Sequence, residues 1–292
     1  MNIEGIFPAL TTPYEADGRV SAAGLRKNIG LYNETKVAGY VALGSTGESV
    51  LLSWEEGETV LAAVREAAAP EKLLIAGTGA ESTAETIART KRAAELGYKY
   101  ALVKTPYYYK PVYKAEVYLR HYRAVADASP IPVLLYSVPQ FTGVSLEAPE
   151  IVALSEHENI AGMKDSSGVI QRVAEVLGRA KKGFTFLTGG AAVVYPALMT
   201  GAKGAILALA SALPERCAEV HALAKAGEHE KAKELQWKLA EASKKIVSEG
   251  GIAGVKYAME LRGYAGGEPR LPLLPAGEET KKGIRQAVEG LK

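Results

Sequence analysis

The sequence predicts an α/β protein, a (β/α)₈ TIM barrel followed by a C-terminal helical extension. Short apolar runs alternate with amphipathic stretches of helical period along the first three quarters of the 292-residue chain. Such alternation is typical of right-handed crossovers between parallel strands, and eight units match the roughly 250 residues of a closed barrel. An open, doubly wound sheet is the alternative, but its first strand usually leads into a glycine-rich turn. Here the first strand leads into Thr11, Thr12 and Pro13.

The eight apolar runs define the predicted strands. In chain order they are Gly5–Leu10, Tyr40–Gly44, Leu73–Gly77, Tyr100–Thr105, Pro132–Val138, Ile160–Lys164, Phe184–Thr188 and Gly204–Ala208. Between the second and third strands, the capping-box pair Ser53 and Glu56 predicts a helix over Leu51–Ala69. The next helix, Ser82–Leu96, begins with the same pattern and ends at Gly97.

The chain after about residue 213 is helical in pattern and more charged than the rest. Lys and Glu at i,i+4 spacings predict a partly solvated helix over Glu228–Glu249. Two further helices are predicted over Ala253–Arg262 and Glu278–Leu291. We expect residues 1–212 to form the barrel core. Residues 213–292 then supply the last barrel helix and the extension, within one structural unit.

Composition narrows the class of protein. The chain is 48% hydrophobic and 23% charged, which is the balance of a soluble globular protein. Its 35 basic and 33 acidic residues give no reason to expect a nucleic-acid partner. No apolar stretch approaches the roughly 18 residues of a membrane helix, and Glu4 stands where a signal peptide would be basic. With a single cysteine, Cys217, there is no intrachain disulfide. We expect a cytoplasmic enzyme or binding protein with no membrane partner.

The active site of such a barrel lies at the carboxyl ends of its strands. These ends offer hydroxyls, phenols and two lysines, in Thr11–Thr12, Gly44–Glu48, Gly77–Gly79, Lys104–Tyr109, Tyr136–Pro139, Lys164–Ser167 and Thr188–Gly190. They hold no histidine. The four histidines (His121, His157, His221 and His229) lack metal-ligand spacing, and we expect them to be scattered over the surface. The sequence therefore argues against a zinc-dependent aldolase and against a Ser-His-Asp hydrolase.

A lysine is the remaining candidate nucleophile. Burial in an apolar strand disfavours the ammonium form, and a neutral amine can attack a carbonyl to form a Schiff base. Lys104 and Lys164 both follow apolar strand residues, and the pattern alone does not choose between them. The alternative is that either lysine simply extends to solvent.

Two further features suit imine chemistry. The phenol of Tyr136 can move a proton to and from a carbon next to an iminium, although it could equally be a core tyrosine. The Gly44–Gly47 turn offers backbone N–H groups and the Ser45 and Thr46 hydroxyls to a carboxylate, although it could be an ordinary turn. Together these features describe a site for a 2-oxo acid activated as an imine.

These residues give the sequence a specific resemblance. It resembles the dihydrodipicolinate synthase/N-acetylneuraminate lyase family over essentially its whole length, through the motifs Gly44-Ser45-Thr46-Gly47-Glu48, Thr105-Pro106-Tyr107-Tyr108, Leu135-Tyr136-Ser137-Val138-Pro139 and Gly162-Met163-Lys164-Asp165-Ser166. These family members are pyruvate-dependent class I aldolases that use no metal or organic cofactor. The resemblance therefore implies an enzyme that acts on a 2-oxo acid and an aldehyde.

The resemblance assigns roles to residues. Lys164 matches the Schiff-base lysine, and Tyr136 matches the tyrosine that moves protons. Ser45 and Thr46 match the pair that binds the pyruvyl carboxylate and relays the proton, and Tyr108 matches a tyrosine that crosses a dimer interface to complete that catalytic relay. Family members are commonly homotetramers, and we expect the same here. We place Gly47 and Gly189 in the substrate-binding site, with Phe141 and Ser166 at the aldehyde end.

Two departures from the family pattern bear on the substrate. Members that condense pyruvate with aspartate semialdehyde usually have threonine where Ser45 stands and arginine where Phe141 stands. Phenylalanine cannot pair with the distal carboxylate of that substrate. Other stretches resemble 4-hydroxy-2-oxoglutarate aldolase, among them Gly79-Ala80-Glu81-Ser82-Thr83.

We therefore expect cleavage of 4-hydroxy-2-oxoglutarate to pyruvate and glyoxylate. One alternative is dihydrodipicolinate synthase, which condenses pyruvate with aspartate semialdehyde. Another is a non-catalytic binding or regulatory barrel, which the presence of Lys164, Tyr136 and Thr46 argues against. A phosphate-binding isomerase that uses Gly189 and Gly190 is a further alternative, but no catalytic histidine supports it.

Overall fold

The structure, a computed structural model, describes residues 3–291. Its eight strands are β1 (Gly5–Pro8), β2 (Gly39–Ala42), β3 (Leu73–Gly77), β4 (Tyr100–Lys104), β5 (Val133–Ser137), β6 (Ile160–Asp165), β7 (Thr185–Thr188) and β8 (Gly204–Leu207). They form one parallel sheet in which β1 pairs with β8. The Leu10 amide donates to the Val41 carbonyl over 3.0 Å, which joins the chain after β1 to β2 and closes the barrel. The predicted fold and all eight predicted strands are confirmed.

Helices follow the strands in alternation. They are α1 (Ala22–Asn33), α2 (Trp54–Ala67), α3 (Thr83–Glu95), α4 (Ala115–Ala128), α5 (Pro139–Thr142), α6 (Ala148–Ser155), α7 (Ile170–Leu177), α8 (Val194–Met199), α9 (Pro214–Lys225), α10 (His229–Ser243), α11 (Gly251–Leu261) and α12 (Glu278–Glu289). Ser53 caps α2 through the predicted reciprocal bonds with Glu56. Ser82 caps α3, accepting a hydrogen bond from the Glu85 amide.

Apolar side chains fill the barrel itself. Its interior core includes Phe7, Val41, Ile75, Leu102, Leu134, Leu187 and Ile206, all fully buried. Two further apolar clusters lie between the strands and the surrounding helices. This packed interior leaves the carboxyl ends of the strands as the open end where polar side chains can meet substrate.

The segment that follows α11 packs against α1 of the barrel. The ring of Tyr264 stacks on Tyr32 with centroids 4.7 Å apart, and Asn28 exchanges two hydrogen bonds with the backbone of Ala265. The predicted single helix Glu228–Glu249 is instead α10 followed by a π-helix over Lys244–Glu249. The division of the chain at residues 212 and 213 stays a prediction, and its outer limits, Met1 and Lys292, lie outside the described residues.

Two findings concern function classes. Within residues 3–291, no helix is both long and apolar enough to span a bilayer, and no group of His, Cys, Asp and Glu side chains there is arranged to hold a metal ion.

One prediction about the histidines is wrong: His121, on α4, is only 5% exposed. Its neighbours Tyr118 and Tyr122 are also buried, so this helix turns its aromatic face inward.

Candidate active site

Lys164 and Tyr136 lie side by side at the open end of the barrel. They occupy partner positions on the adjacent strands β6 and β5, so both side chains point into the barrel. Lys164 Nζ donates a hydrogen bond to Tyr136 Oη over 3.4 Å and lies 4.4 Å from the centre of that ring. Each residue is only 4% exposed. A buried amine next to a phenol is the arrangement that imine chemistry requires.

Ser45 extends this pair into a row of three functional groups. Its Oγ lies 3.3 Å from Tyr136 Oη, close enough for either hydroxyl to donate. Thr46 follows in the same 3₁₀ turn, Ser45–Gly47, and is half-buried. A hydroxyl, a phenol and an amine thus form a continuous hydrogen-bonded path, along which a proton can move.

The Gly44–Gly47 turn is held in an unusual backbone conformation. Non-glycine residues with left-handed backbone angles flank it, Leu43 at φ 57° and Glu48 at φ 56°. Each costs on the order of 1–3 kcal/mol unless its surroundings hold it in place. Thr12, after β1, contributes one such contact, since its Oγ1 donates to the Gly47 carbonyl over 2.7 Å.

A buried ionic cluster holds the other end of the turn. Glu48 Oε1 lies 2.6 Å from Lys256 Nζ on α11, and both side chains are fully buried. The second carboxylate oxygen accepts a hydrogen bond from the Arg270 amide over 2.7 Å. Burial lowers the pKa of Lys256, while the Glu48 carboxylate opposes that shift. The C-terminal extension is therefore bonded directly to the turn that carries Ser45.

The same cluster also connects the C-terminal extension to α2. The Arg270 guanidinium forms a two-pronged salt bridge with Glu56 on α2, with distances of 2.6 and 2.7 Å. The ring of Tyr14 lies between the two cations, 4.4 Å from Lys256 Nζ and 4.5 Å from the guanidinium carbon of Arg270. Sequence reasoning missed this role, although a lysine among the apolar residues of a helix was a visible signal.

A largely apolar cavity of about 250 Å³ opens beside Ser45. Its walls are Ser45, Glu48, Val50, Leu51, Lys104, Tyr107, Val138, Phe141, Thr142, Ile252, Pro272 and Leu273. Phe141 lies on this wall, 63% exposed to solvent. The cavity has room for a small substrate next to the row of functional groups.

Ser166 and Gly189 are in contact on the side of Lys164 that faces away from Tyr136, because β7 and β5 flank β6 on opposite sides. The Gly189 amide donates to the Asp165 carbonyl over 2.7 Å. A Cβ atom at position 189 would lie 2.0 Å from Ser166 Oγ, so only glycine fits there. This contact brings together two of the residues predicted to line the substrate site.

Tyr108 lies outside the row. Its side chain is 72% exposed, and its ring contacts Tyr109 edge-on at 5.0 Å. The backbone of its loop is nevertheless fixed, because the amides of Tyr107 and Tyr108 donate to the Glu81 carboxylate over 3.0 and 2.9 Å. Within one chain, Tyr108 is therefore presented to solvent rather than to Tyr136.

Comparison with known proteins gives one consistent result. A model of the Dihydrodipicolinate synthetase family matches residues 2–291. A 4-hydroxy-tetrahydrodipicolinate synthase of Neisseria meningitidis is 37% identical over 287 residues, 98% of each chain. One from Methanothrix thermoacetophila is 35% identical over 285 residues, 97% of this chain and 95% of that one.

Solved structures of dihydrodipicolinate synthases have the same fold as this chain. The dihydrodipicolinate synthase of Acinetobacter baumannii, determined in complex with pyruvate, superimposes with a TM-score of 0.93 at 35% identity over 99% of each chain. The Bacillus anthracis protein gives a TM-score of 0.95 at 30% identity over the whole of both chains.

These comparisons overturn one expectation. The relatives are named 4-hydroxy-tetrahydrodipicolinate synthase, so the assignment as 4-hydroxy-2-oxoglutarate aldolase is wrong. The argument from Phe141 assumed that one wall position must supply the cation, although other side chains line the same cavity. The chain belongs to the dihydrodipicolinate synthetase family and is an enzyme, a lyase of the class I aldolases that act through a lysine Schiff base.

Proposed function

We propose that this enzyme condenses pyruvate with aspartate semialdehyde to form 4-hydroxy-tetrahydrodipicolinate. The observation that carries the proposal is the row of Ser45, Tyr136 and Lys164, which supplies a hydroxyl, a phenol and an amine. Tyr136 Oη lies 3.3 Å from Ser45 Oγ and 3.4 Å from Lys164 Nζ. The names of the relatives support the same reaction.

Lys164 is the proposed nucleophile. Its Nζ attacks the ketone carbon of pyruvate, and the ketone oxygen leaves as water once the adduct has been protonated. Loss of a proton from the methyl carbon gives an enamine, which attacks the aldehyde carbon of the second substrate. The amino group of the product then displaces Lys164 from the imine carbon, which closes the ring and frees the enzyme.

Tyr136 is the proposed general acid and base. Its Oη lies between Lys164 Nζ and Ser45 Oγ, so it can pass protons to the departing oxygen and receive them again from the row. The turn at Gly44–Gly47 is the proposed carboxylate site. There the Ser45 and Thr46 hydroxyls would bind the carboxylate. The Gly47 amide already donates to the Gly44 carbonyl over 3.0 Å, so Gly47 contributes through the shape of the turn.

We further propose that Gly189 lines the substrate site and that Phe141 and Ser166 line its aldehyde side. Phe141 borders the cavity beside Ser45, whereas Ser166 and Gly189 touch each other next to Lys164. No metal or organic cofactor is needed for any step, because the iminium itself withdraws the electrons.

The proposed assembly is a homotetramer, a dimer of dimers, in the cytoplasm. Exposed apolar side chains near the site support it, namely Val50, Tyr108, Tyr109, Val112 and Phe141. Tyr108 would then complete the proton path of a neighbouring subunit. Sedimentation velocity tests the assembly, and Tyr108→Phe should lower kcat about tenfold without changing the sedimentation coefficient.

The direct test measures two reactions side by side. Condensation of pyruvate with aspartate semialdehyde and pyruvate release from 4-hydroxy-2-oxoglutarate are followed with the wild type and with Lys164→Ala. The proposal predicts fast condensation that is lost in Lys164→Ala. Negligible condensation by the wild type would overturn it.

A further inference from the structure

Lys104 is a second lysine at the open end of the barrel, and the proposed reaction steps do not use it. It lies at the end of β4, where it is the partner of Tyr136 on β5, just as Tyr136 is the partner of Lys164 on β6. Paired residues of parallel strands point to the same face, so all three side chains point into the barrel mouth. With strands about 4.8 Å apart, the Cα atoms of the two lysines are roughly 10 Å apart.

The side chain of Lys104 lies between two cavities, one of which is the proposed aldehyde side. It lines the cavity of about 250 Å³ together with Ser45, Val138 and Phe141. Its Nζ donates to the carbonyl of Gly79, which lines the second cavity, over 2.6 Å. The backbone of Gly79 can approach this closely because it carries no Cβ, which would lie 2.6 Å from the Lys104 amide nitrogen.

The positive charge of Lys104 is available to an anion in the cavity beside Ser45. Among residues 3–291, Lys104 forms no ion pair with a carboxylate, and its hydrogen-bond partner is a neutral carbonyl. Burial lowers its pKa, and Glu81 acts in the opposite direction. Glu81 lines the second cavity together with Lys104 and Arg89. The cavity beside Ser45 is otherwise largely apolar, and its one carboxylate, Glu48, is already paired with Lys256.

The second substrate of the proposed reaction carries a carboxylate that needs a cation. We propose that Lys104 binds this distal carboxylate, in the place where Phe141 offers no charge, and so determines specificity for an acidic aldehyde. This inference rests on the proposed function. It explains how the chain can accept aspartate semialdehyde although Phe141 cannot form an ion pair.

The test compares Lys104→Met with its charge-retaining control, Lys104→Arg. Loss of a charge-assisted hydrogen bond should lower kcat/KM for aspartate semialdehyde about 100-fold in Lys104→Met. The KM for pyruvate and the rate of borohydride trapping with pyruvate should stay within about twofold, because the pyruvyl site is intact. Lys104→Arg should recover most of the lost kcat/KM.

A rescue variant separates a binding role from a structural one. Adding Phe141→Arg to Lys104→Met should restore at least tenfold in kcat/KM for aspartate semialdehyde, because an arginine at 141 reaches the same cavity. If Lys104→Met does not fold, Lys104→Gln replaces it in both experiments. Unchanged kcat/KM for aspartate semialdehyde, or an equal loss of pyruvate trapping, would overturn the inference. A wild type that traps pyruvate but does not condense it would instead overturn the proposed function, and this inference with it.

Discussion

Lys256 Nζ lies 2.6 Å from Glu48 Oε1, and both side chains are fully buried. The two residues come from opposite parts of the chain, one from the turn after β2 and the other from α11 in the C-terminal extension. A buried ion pair of this kind contributes little net stability, but removing one partner leaves a charge without compensation. Its main effect is to fix the turn that presents Ser45 to Tyr136.

Removing the cation should therefore destabilise the whole protein. We expect Lys256→Met to lower the free energy of unfolding by about 3–5 kcal/mol, because the Glu48 carboxylate remains buried without a positive charge to compensate it. Urea unfolding at a fixed protein concentration measures the effect. The double variant Glu48→Gln/Lys256→Met removes both charges and should regain most of the loss. Equal destabilisation of the single and double variants would show that the charges are not coupled.

Tyr136→Phe removes the phenol and leaves the ring. We expect kcat to fall about 100- to 1,000-fold, since a general acid and base is lost from the row. The KM for pyruvate should change by no more than a few fold, because Lys164 and the Gly44–Gly47 turn remain. Steady-state kinetics, with circular dichroism as the check on folding, measures both values. A variant that keeps a third of the wild-type kcat would rule out this role for the phenol.

Ser45→Ala tests the hydroxyl that lies 3.3 Å from Tyr136 Oη. Losing one hydrogen bond of about 1–1.5 kcal/mol should lower kcat/KM for pyruvate about tenfold. Ser45→Thr is the matched control, because it keeps a hydroxyl on the same backbone, and it should stay within about threefold of the wild type. If both variants lose activity equally, the backbone of the turn rather than the hydroxyl is responsible.

His121 should make stability depend on pH. Burial lowers its pKa from 6.5 to about 4, so the unfolded chain binds a proton between these values and the folded chain does not. The stabilising contribution is complete above about pH 6.5 and decreases as the pH falls towards 4. From pH 7 to pH 5 the wild type should lose about 2 kcal/mol more than His121→Gln, as measured by urea unfolding.

The control for that experiment is His229→Gln, since His229 is exposed on α10. Its pH dependence shows what the loss of an exposed histidine does by itself. Identical pH dependence in His121→Gln and the wild type would show that His121 titrates normally in the folded protein.

Local patterns determine much of this fold, and these were predictable from the sequence. The capping pair Ser53 and Glu56 marks the start of α2 in the sequence and forms the predicted bonds. Strand positions followed from short apolar runs, with errors of one or two residues where the chain turns away at the rim. The proximity of Lys164 and Tyr136 follows from the same pattern, because residues that end neighbouring parallel strands meet at one edge.

Long-range contacts were not predictable in the same way. Nothing near Lys256 in the chain indicates that its partner is Glu48, which only the docking of the extension brings close. The burial of His121 likewise depends on which face of α4 meets the barrel. The interpretation of Phe141 failed for a related reason, since a single motif position does not reveal that Lys104 lines the same cavity.

Trapping with pyruvate and borohydride tests the central claim most directly, because it detects the covalent step itself. Reduction of the imine should add one pyruvate-derived group to each chain, and peptide mass spectrometry should locate it on Lys164. Lys164→Ala should show no adduct, whereas Lys104→Met should still be labelled at Lys164. An unmodified wild type, or an adduct on Lys104, would contradict the account.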